Sequence, residues 1–239
     1  MSTTATGCTQ LEWDSEFWGR SIGRIDDGPL DPARLRAADT WAEENGVDCV
    51  FYLAASDDIP SVHAAESGGF RCMDVRVDFE CRTRRVDPQP PVRPGRPADV
   101  DPLREIARKS HDITRFYADP GFPDVRCGEL YDLWLVNSFQ GFAEEVLVLD
   151  VDGRPAGYVT CHAKGDTGSI GLIGVEAAER GRGLGQTLVL GAIDWSARRG
   201  LERMTVATQG RNLAAQRAFE ACGFRTESVG LWFHKWYPK

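Results

Sequence analysis

Residues 170–199 read IGLIGVEAAERGRGLGQTLVLGAIDWSARR and hold three successive patterns. Ile170–Val175 is apolar and predicts a strand. An amphipathic helix is predicted by apolar residues at helical spacing, namely Leu184, Leu188, Ala192 and Trp195. The turn before this helix is Arg180-Gly181-Arg182-Gly183-Leu184-Gly185. Its glycines admit a ligand close to the backbone, and the N–H groups at the start of a helix favour a pyrophosphate. The segment predicts a phosphate-binding turn, although a plain tight turn has the same composition.

Two familiar nucleotide-binding motifs are excluded by what surrounds this turn. A dinucleotide fingerprint needs GxGxxG inside a parallel βαβ unit, whereas the strand here ends an antiparallel meander. A Walker loop needs GxxxxGK[ST], which the chain lacks.

Periodicity on either side of the turn predicts alternating elements. Helices are expected at Leu103–Lys109, Glu129–Asn137, Leu184–Arg199 and Leu213–Cys222, the last closed by Gly223. Strands are expected at Val146–Val151, Ala156–His162, Ser169–Val175, Arg203–Thr208 and Ser228–Lys235. Asp152-Gly153 predicts a hairpin turn between the first two. The fold class is therefore α/β with a mixed sheet.

A proline-rich stretch, RRVDPQPPVRPGRP at residues 84–97, predicts a linker, since its five prolines exclude a regular helix or a central strand. The domains expected are residues 1–83, the linker 84–97, and residues 98–239.

The first half contains a fainter copy of the end of the second. When Ala38–Phe79 is shifted by 154 residues onto Ala192–Phe233, ten of 42 positions are identical, against roughly two or three by chance. Both copies place Gly-Phe-Arg between a helix and a strand. The chain is therefore expected to hold one and a half copies of one unit. The alternative is that short helix–glycine–strand segments resemble one another.

Composition narrows the function classes. The 239 residues carry a net charge of −8, which argues against nucleic acid as the main partner. No apolar stretch approaches a membrane span, and MSTTATGCTQLEWD is not a signal peptide, so a soluble cytoplasmic protein is expected. Seven cysteines without a CxxC pair predict reduced thiols and no metal site.

At this point the segment 92–236 resembles the GNAT N-acetyltransferase superfamily. Its acyl-CoA signature [RQ]xxGx[GA] corresponds to Arg180, Gly183 and Gly185, and its downstream cue to Asn212, Phe219 and Gly223-Phe224. The resemblance implies a GNAT fold and acetyl-CoA as co-substrate, with pyrophosphate on the turn and pantetheine along the preceding strand. The cofactor-binding residues it implies are Ile173, Val175, Arg180, Gly181, Arg182, Gly183, Leu184, Gly185, Asn212 and Phe219.

A finer resemblance is to the nucleotide-sugar N-acetyltransferases of the dTDP-fucosamine acetyltransferase family. It rests on LEWDSEFWGRSIGRI, on KSHDITRFYADPGF and on the truncated first half, which is read as GNAT-like. The shifted counterpart of the signature is DDGPLD at residues 26–31, whose charge would repel a pyrophosphate, so a single acyl-CoA site is expected. The family's proton donor is a Tyr where this chain has Phe219. Either the thiolate leaves without an acid, or another group supplies the proton.

Candidate catalytic and acceptor residues carry competing interpretations. His162 and His234 are candidate bases or proton shuttles, but strand histidines are commonly structural. Arg115 and Tyr117 are candidates for binding the diphosphate and sugar of an acceptor, or a surface Arg beside a core aromatic. Trp13, Phe17 and Trp18 fit packing better than base stacking. Cys222 lies at a helix end, which predicts burial and no nucleophilic role.

The function predicted is transfer of an acetyl group from acetyl-CoA to a primary amine on a nucleotide-linked amino-deoxysugar. Another small amine or an antibiotic as acceptor, and a non-catalytic acyl-CoA-binding regulatory module, remain alternatives. Neither nucleic acid nor a membrane is expected as a partner, and a homodimer is left open.

Overall fold

The computed structural model describes residues 7–238 and confirms a mixed α/β fold. In chain order the elements are β1 Cys8–Gln10, α1 Glu12–Trp18, β2 Ile22–Ile25, α2 Pro32–Glu44, β3 Cys49–Ala55, α3 Ile59–Ser67, β4 Arg71–Arg82, β5 Val92–Pro94, α4 Val100–Ser110, α5 Arg115–Ala118, α6 Asp124–Asn137, β6 Glu145–Val151, β7 Arg154–Lys164, β8 Thr167–Val175, α7 Leu184–Arg198, β9 Arg203–Gln209, α8 Leu213–Ala221 and β10 Arg225–Trp236. Every element predicted from periodicity is present, with its ends within a few residues. No helix in this part of the chain is long and apolar enough to cross a membrane.

The chain divides into two compact units that are not contiguous in sequence. Unit 2 consists of Val77–Ile113 and Asp124–Glu227. Unit 1 consists of the described chain as far as Arg76, together with Thr114–Pro123 and the described residues from Ser228 onward. These units differ from the contiguous domains expected around the proline-rich segment, because most of β10 pairs with β3 and is counted with unit 1.

The sheet of unit 2 has the order β9-β8-β7-β6-β5, with β8 parallel to β9 and the other neighbours antiparallel. Asp152 and Gly153 both have positive φ, 50° and 73°, as the predicted hairpin turn requires. Helix α7 packs against β6, β7 and β8 with Leu188, Ala192 and Ile193 buried. The strand β5, inside the proline-rich segment, lies at the sheet edge, where a missing N–H is tolerated.

The sheet of unit 1 pairs β1 antiparallel to β2, β2 parallel to β3, and β3 antiparallel to β10. Its core forms where one face of α2, including Trp41 and Ala42, packs with Phe70 and Phe233. Helix α1 was not predicted. It is short and ends at Gly19, whose φ of 61° closes the helix.

The segments related by the 154-residue shift contain the same elements. Strands β3 and β9 have identical bounds after the shift, as do helices α3 and α8 and strands β4 and β10. A glycine in the left-handed conformation follows each of the two related helices α3 and α8, with φ of 81° at Gly69 and 95° at Gly223.

Candidate active site

The predicted phosphate-binding turn is open at the N-terminus of α7. Gly183 is the N-cap residue with φ 81°, and no side chain caps the helix. A Cβ atom added at Gly181, Gly183 or Gly185 would meet nothing within 4 Å. The first N–H groups of α7 therefore lack side-chain acceptors in the described structure and are available to a ligand, as an anion site at a helix N-terminus requires.

Backbone groups of β8 are exposed where this strand leaves β9. The parallel pairing covers only Thr167–Ile170 of β8, which continues as far as Val175. The N–H of Leu172 donates to Thr160 Oγ1, and that of Glu176 donates to the carbonyl of Ala156 on β7. Because backbone direction alternates along a strand, the polar groups of Ile173 and Val175 face away from β7.

The turn and the diverging strand border one cleft in unit 2 with a volume of about 480 Å³. Nine of the ten predicted cofactor-binding residues line this cleft. These are Ile173, Val175, Arg180, Gly181, Gly183, Leu184, Gly185, Asn212 and Phe219. The tenth, Arg182, forms an ion pair with Glu179.

Arg180 bridges the strand and the turn. Its Nε donates to the carbonyl of Val175 at 3.2 Å, and Nη2 lies 3.4 Å from Ser110 Oγ. The side chain is exposed and brings a positive charge to the cleft. A phosphate at the α7 N-terminus would gain from this charge and from the helix dipole.

Asn212 and Phe219 belong to α8, on the other wall of the cleft. Asn212 Oδ1 accepts the N–H of Ala215 at 3.2 Å, so Asn212 caps α8. Phe219 is 2% exposed, with its ring centroid 5.8 Å from Phe79 and 5.9 Å from Phe224. A phenyl ring in this position cannot donate a proton.

His162 lies on β7 and is half-buried. Its Nδ1 is 3.9 Å from Glu144 Oε2, its Nε2 is 3.4 Å from Thr160 Oγ1, and Phe142 packs edge-on against the ring. Thr160 also binds the N–H of Leu172, where two β8 residues oppose one β7 residue. His162 is not among the residues that line the cleft in the described structure, so its contribution to catalysis stays a prediction.

The second histidine candidate belongs to a buried polar cluster in unit 1. His234 Nδ1 lies 2.6 Å from Asp119 Oδ2, and its Nε2 lies 3.1 Å from Arg115 Nη1. Asp119 also accepts the indole N–H of Trp236 and the backbone N–H of Gly121. A Cβ at Gly121 would come within 2.2 Å of the Trp236 ring, so glycine is required there.

Burial and charge fix the protonation states of this cluster. Burial lowers the pKa of His234 to about 4, the hydrogen bond to Asp119 acts in the opposite direction, and the charge of Arg115 lowers the pKa further. Burial alone would raise the pKa of Asp119. Hydrogen bonds from His234, Gly121 and Trp236 outweigh that effect, and the pKa of Asp119 is lowered. At neutral pH the cluster therefore holds a neutral imidazole beside a carboxylate.

Cys49 completes a group of three potential metal ligands with Asp119 and His234, whose donor atoms lie within 4.8 Å of one another. Two ligands on one tetrahedral zinc ion would be about 3.3 Å apart. The His234–Asp119 separation of 2.6 Å is shorter than that and suits a hydrogen bond. Burial also raises the pKa of the Cys49 thiol, which opposes formation of the thiolate that zinc binds. The geometry therefore favours a hydrogen-bonded cluster.

Arg115 is enclosed by aromatic rings, in contrast to a surface arginine. Its guanidinium carbon lies 4.3 Å from the centroid of Phe51, 4.4 Å from Phe116 and 4.1 Å from Trp232. Tyr117, the other predicted acceptor residue, is half-buried in the same short helix α5. Sequence reasoning missed Asp119 and Trp232. No local pattern indicates that Asp119 is hydrogen-bonded to His234, 115 positions away, or that the Trp232 ring packs on Arg115.

The aromatic residues of α1 divide between packing and exposure. Trp18 packs against Phe116 and Phe122 with centroids 5.2 and 4.4 Å apart, which confirms the packing interpretation for this residue. Trp13 stacks on Phe17 at 5.6 Å and is 39% exposed.

Cys222 is 2% exposed, and burial raises the pKa of its thiol to about 11, so it is a poor nucleophile as expected. Six of the seven cysteines are buried, and none forms a disulfide among residues 7–238.

A comparison with protein families identifies the class. The family model described as the acetyltransferase (GNAT) family matches residues 110–224, which include α4's last residue, the cleft and α8. These residues form an acetyltransferase domain of the GNAT family, and the protein is an acyl-CoA-dependent N-acetyltransferase.

Similar curated proteins cover most of the chain. It is 29% identical over 94% of its length to the dTDP-fucosamine acetyltransferase of Escherichia coli O6:H1, of which 96% is covered. It is 26% identical over 84% of its length to the spore coat polysaccharide biosynthesis protein SpsD of Bacillus subtilis, of which 71% is covered.

Among solved structures, the chain resembles a GCN5-related N-acetyltransferase from Sphaerobacter thermophilus with a TM-score of 0.67. The match has 14% identity and covers 96% of this chain and 76% of that one. A GCN5-related N-acetyltransferase from Kribbella flavida gives a TM-score of 0.65 at 13% identity, with 97% and 88% covered. These likenesses concern the fold alone, and they confirm the predicted GNAT fold.

Proposed function

We propose that this enzyme transfers an acetyl group from acetyl-CoA to a primary amine on a nucleotide-linked amino-deoxysugar. The uncapped N-terminus of α7 beside the diverging strand β8 is the observation that carries the donor half. The arginine enclosed in unit 1 supports the acceptor half, together with the similarity to a dTDP-fucosamine acetyltransferase over nearly the whole chain.

The residues of the cleft fit acetyl-CoA in chemistry and placement. The N–H groups after Gly183 and the charge of Arg180 suit a pyrophosphate, and the outward-facing backbone of Ile173 and Val175 suits the amides of pantetheine. Acetyl-CoA supplies an activated acetyl group and a thiolate leaving group. The backbone N–H groups near Ile173 are suited to stabilise negative charge that develops on the carbonyl oxygen.

Proton transfer needs two groups. The acceptor ammonium must lose a proton before it can attack, and we assign this step to water or to His162. Phe219 occupies the position from which a Tyr would protonate the leaving sulfur. We propose that the thiolate departs without a general acid from this position, since a thiol with a pKa near ~8.5 is a tolerable leaving group at neutral pH.

An anionic acceptor needs a local cation, because the net charge of −8 opposes capture by the overall field. Arg115 provides a planar guanidinium that can bind a phosphate through two hydrogen bonds. Its enclosure by Phe51, Phe116 and Trp232 limits the directions in which its N–H groups point.

The domain organisation that we propose is one complete acyl-CoA-binding GNAT domain, residues 98–239, preceded by a truncated GNAT-like half, residues 1–83. The identical bounds of three pairs of elements after the 154-residue shift support this relationship. We place the enzyme in the cytoplasm, where acetyl-CoA and nucleotide sugars are made.

Turnover with acetyl-CoA and a panel of amines tests the proposal. The panel contains dTDP- and UDP-linked amino sugars, the corresponding free amino sugars, amino acids and an aminoglycoside antibiotic. We expect the nucleotide-linked amines to have the highest kcat/KM. A free amino sugar or plain amine that reacts equally well would favour the alternative, an acetyltransferase for another small amine or an antibiotic.

Arg115→Lys tests the acceptor half separately, because it keeps the charge and loses the planar fork. We expect the acceptor KM to rise by about tenfold while the KM for acetyl-CoA is unchanged, as measured by initial rates with each substrate varied. An unaltered acceptor KM would show that Arg115 does not bind the acceptor.

A further inference from the structure

We propose that Asp119 and His234 are positioning residues that hold the Arg115 guanidinium in a fixed orientation for the anionic part of the acceptor. This inference rests on the proposed function and gives His234 a different role from the general base that its residue type suggests. Three observations within unit 1 carry it: the direction of two hydrogen bonds, the enclosure of the guanidinium, and two buried polar groups without partners.

The hydrogen-bond direction follows from arginine chemistry. A guanidinium has only donors, so His234 Nε2, 3.1 Å from Arg115 Nη1, must accept. The remaining ring nitrogen, Nδ1, then carries the proton and donates to Asp119 Oδ2 at 2.6 Å. Asp119 therefore fixes the tautomer of His234, and His234 in turn presents a lone pair to Arg115. Both ring nitrogens are occupied, and the side chain is fully buried, so the ring is poorly placed to take a proton from a substrate.

Asp119 is itself held from several directions. The indole N–H of Trp236 lies 3.1 and 3.0 Å from its two oxygens, and the backbone N–H of Gly121 lies 2.9 Å from Oδ1. These donors keep Asp119 ionised and immobile. A carboxylate fixed in this way sets the plane of the imidazole, and the imidazole fixes the direction of one N–H of the guanidinium.

The rings around Arg115 restrict the other degrees of freedom. Three aromatic centroids lie within 4.4 Å of its guanidinium carbon, from β3, α5 and β10. Long side chains lose much rotamer entropy when they bind a ligand, and a side chain that is already fixed loses less. This arrangement is expected for a binding group and exceeds what a surface arginine requires.

Two buried polar groups give independent support. Three buried side-chain polar atoms have no hydrogen-bond partner among residues 7–238, and these are Thr114 Oγ1, Trp18 Nε1 and Arg24 Nε. Thr114 is 4% exposed and Trp18 is 9% exposed. Thr114 directly precedes Arg115, and Trp18 packs against Phe116 and Phe122. Buried donors without partners are costly, so these atoms favour the entry of polar ligand atoms into this part of unit 1.

The first test is independent of the acceptor. In the full-length protein, ¹⁵N NMR of the histidine rings reports the tautomer, and we expect His234 to be the neutral Nδ1–H form from pH 8 down to about 5. The charged groups facing the ring are Arg115 on α5 and Asp119 in the following loop, and the neutral thiol of Cys49 on β3 also lies close to it. Arg115→Lys should shift the Nε2 resonance. An Nε2–H tautomer, or an imidazolium at pH 7, would overturn the inference whatever the acceptor is.

The second test uses two substitutions that each keep half of the ring's hydrogen bonding. His234→Gln places an oxygen near Nε2 and keeps an acceptor for Arg115, whereas His234→Asn places an amide nitrogen near Nδ1 and keeps only the donor to Asp119. The probe is thymidine diphosphate, titrated by calorimetry. We expect binding to weaken about tenfold in the Asn variant and less than about threefold in the Gln variant, with acetyl-CoA affinity unchanged in both.

Steady-state kinetics with the best amine of the panel separate the roles. A positioning role predicts that His234→Asn raises the acceptor KM and lowers kcat by less than about threefold. A general-base role would lower kcat by about 100-fold or more in both variants and would overturn the inference. The inference would also be overturned if both variants lost melting temperature equally and neither changed the acceptor KM or the diphosphate affinity. That result would mean that the cluster only stabilises unit 1. His63→Gln, an exposed histidine on α3, is the matched control.

The two proposals can fail separately. One outcome is that His234 is the Nδ1–H tautomer and Arg115→Lys shifts its Nε2 resonance, while plain amines react as well as nucleotide-linked ones. In that case the positioning of Arg115 by His234 is upheld and the proposed acceptor is wrong. If nucleotide-linked amines are preferred but the Gln and Asn variants behave alike, the acceptor stands and the positioning role is overturned.

Discussion

The α2 and α7 helices begin in related segments of the two units, but only one is open to an anion. At α7 the N-cap is Gly183 and no side chain caps the helix. At α2 the N-cap is Asp31, whose carboxylate accepts the N–H of Arg34 at 2.7 Å. The Arg34 guanidinium also binds the carbonyls of Pro29 and Asp26. The chain's own carboxylate thus occupies the place that a phosphate would take.

The strands before these helices differ as well. Strand β2 pairs in parallel with β3 through Ile22–Arg24 and ends at Ile25, whereas β8 continues five residues beyond its last pair with β9. Among its described residues, unit 1 therefore has no counterpart of the segment 171–175 that borders the cleft. The comparison shows two differences, an uncapped helix start and an extended strand, that distinguish the proposed cofactor site from the related segment of unit 1.

Gly183→Val should produce the largest effect, because it closes the open turn. The residue has φ 81°, which a β-branched side chain adopts with strain, and its Cβ would project into the space left for the ligand. We expect acetyl-CoA affinity to fall by about 100-fold or more in calorimetry, from one site per wild-type chain. Gly165→Val is the control, since Gly165 has φ 61° and open space but does not line the cleft. Unchanged affinity in folded Gly183→Val, or two equivalent sites in the wild type, would contradict the comparison.

These differences also show what the sequence could predict. The turn proposed to bind the cofactor could be singled out from the sequence because six consecutive residues, Arg180–Gly185, carry its glycines and two arginines. Nine of the eighteen helices and strands labelled in the described residues, all from α4 onward, were predicted from periodicity, since one face of each is buried. By contrast, the pairing of Asp119 with His234 and the rings around Arg115 arise from strands and loops distant in sequence. Helix α1 was missed because its seven residues are too few for a periodic signal.

Unit 1 contains the buried His234 and unit 2 the half-buried His111, and both should make stability depend on pH. Burial lowers the pKa of His111 in unit 2 and of His234 in unit 1 to about 4, from about 6.5 when unfolded. Below pH 6.5 the unfolded chain binds protons that the folded chain does not, so stability is constant above this pH and falls toward pH 4.

Between pH 6.5 and 5 we expect each histidine to cost about 2 kcal/mol of unfolding free energy, measured by urea denaturation. His111 faces Tyr131, Tyr158 and Arg180, and His234 faces Arg115 and Asp119. His111→Gln and His234→Gln should each remove about half of the pH dependence, and the double variant most of it. If neither variant alters the change of unfolding free energy with pH, other groups cause that change.

Asp31→Ala should cost about 1 kcal/mol of stability, because it removes the cap of α2. It should not create a second acetyl-CoA site, even when combined with Arg34→Ala, since β2 ends before any counterpart of Ile173 and Val175. Calorimetry of the double variant checks this expectation. Binding of two acetyl-CoA molecules per chain would show that capping alone, and not the length of the strand, separates the two regions.

Phe219→Tyr should produce the smallest effect and tests the wall of the cleft formed by α8. The shifted counterpart of Phe219 is Ala65, a fully buried residue of α3, so the comparison places an aromatic ring only where the cofactor is expected. Phe219 lines the cleft although its ring is buried against Phe79 and Phe224, so an added hydroxyl can point toward the cleft.

If the thiolate leaves without assistance, adding that hydroxyl has little effect on the rate, and kcat should remain within about threefold of wild type or rise. Phe219→Leu provides the matched control, because it keeps an apolar side chain and offers no proton. We expect the Leu variant to lose some stability and to keep most of its kcat. A rise of about 100-fold in the Tyr variant would show that proton delivery to sulfur limits the natural enzyme. Loss of turnover in a folded Leu variant would show instead that the ring itself positions the reacting groups.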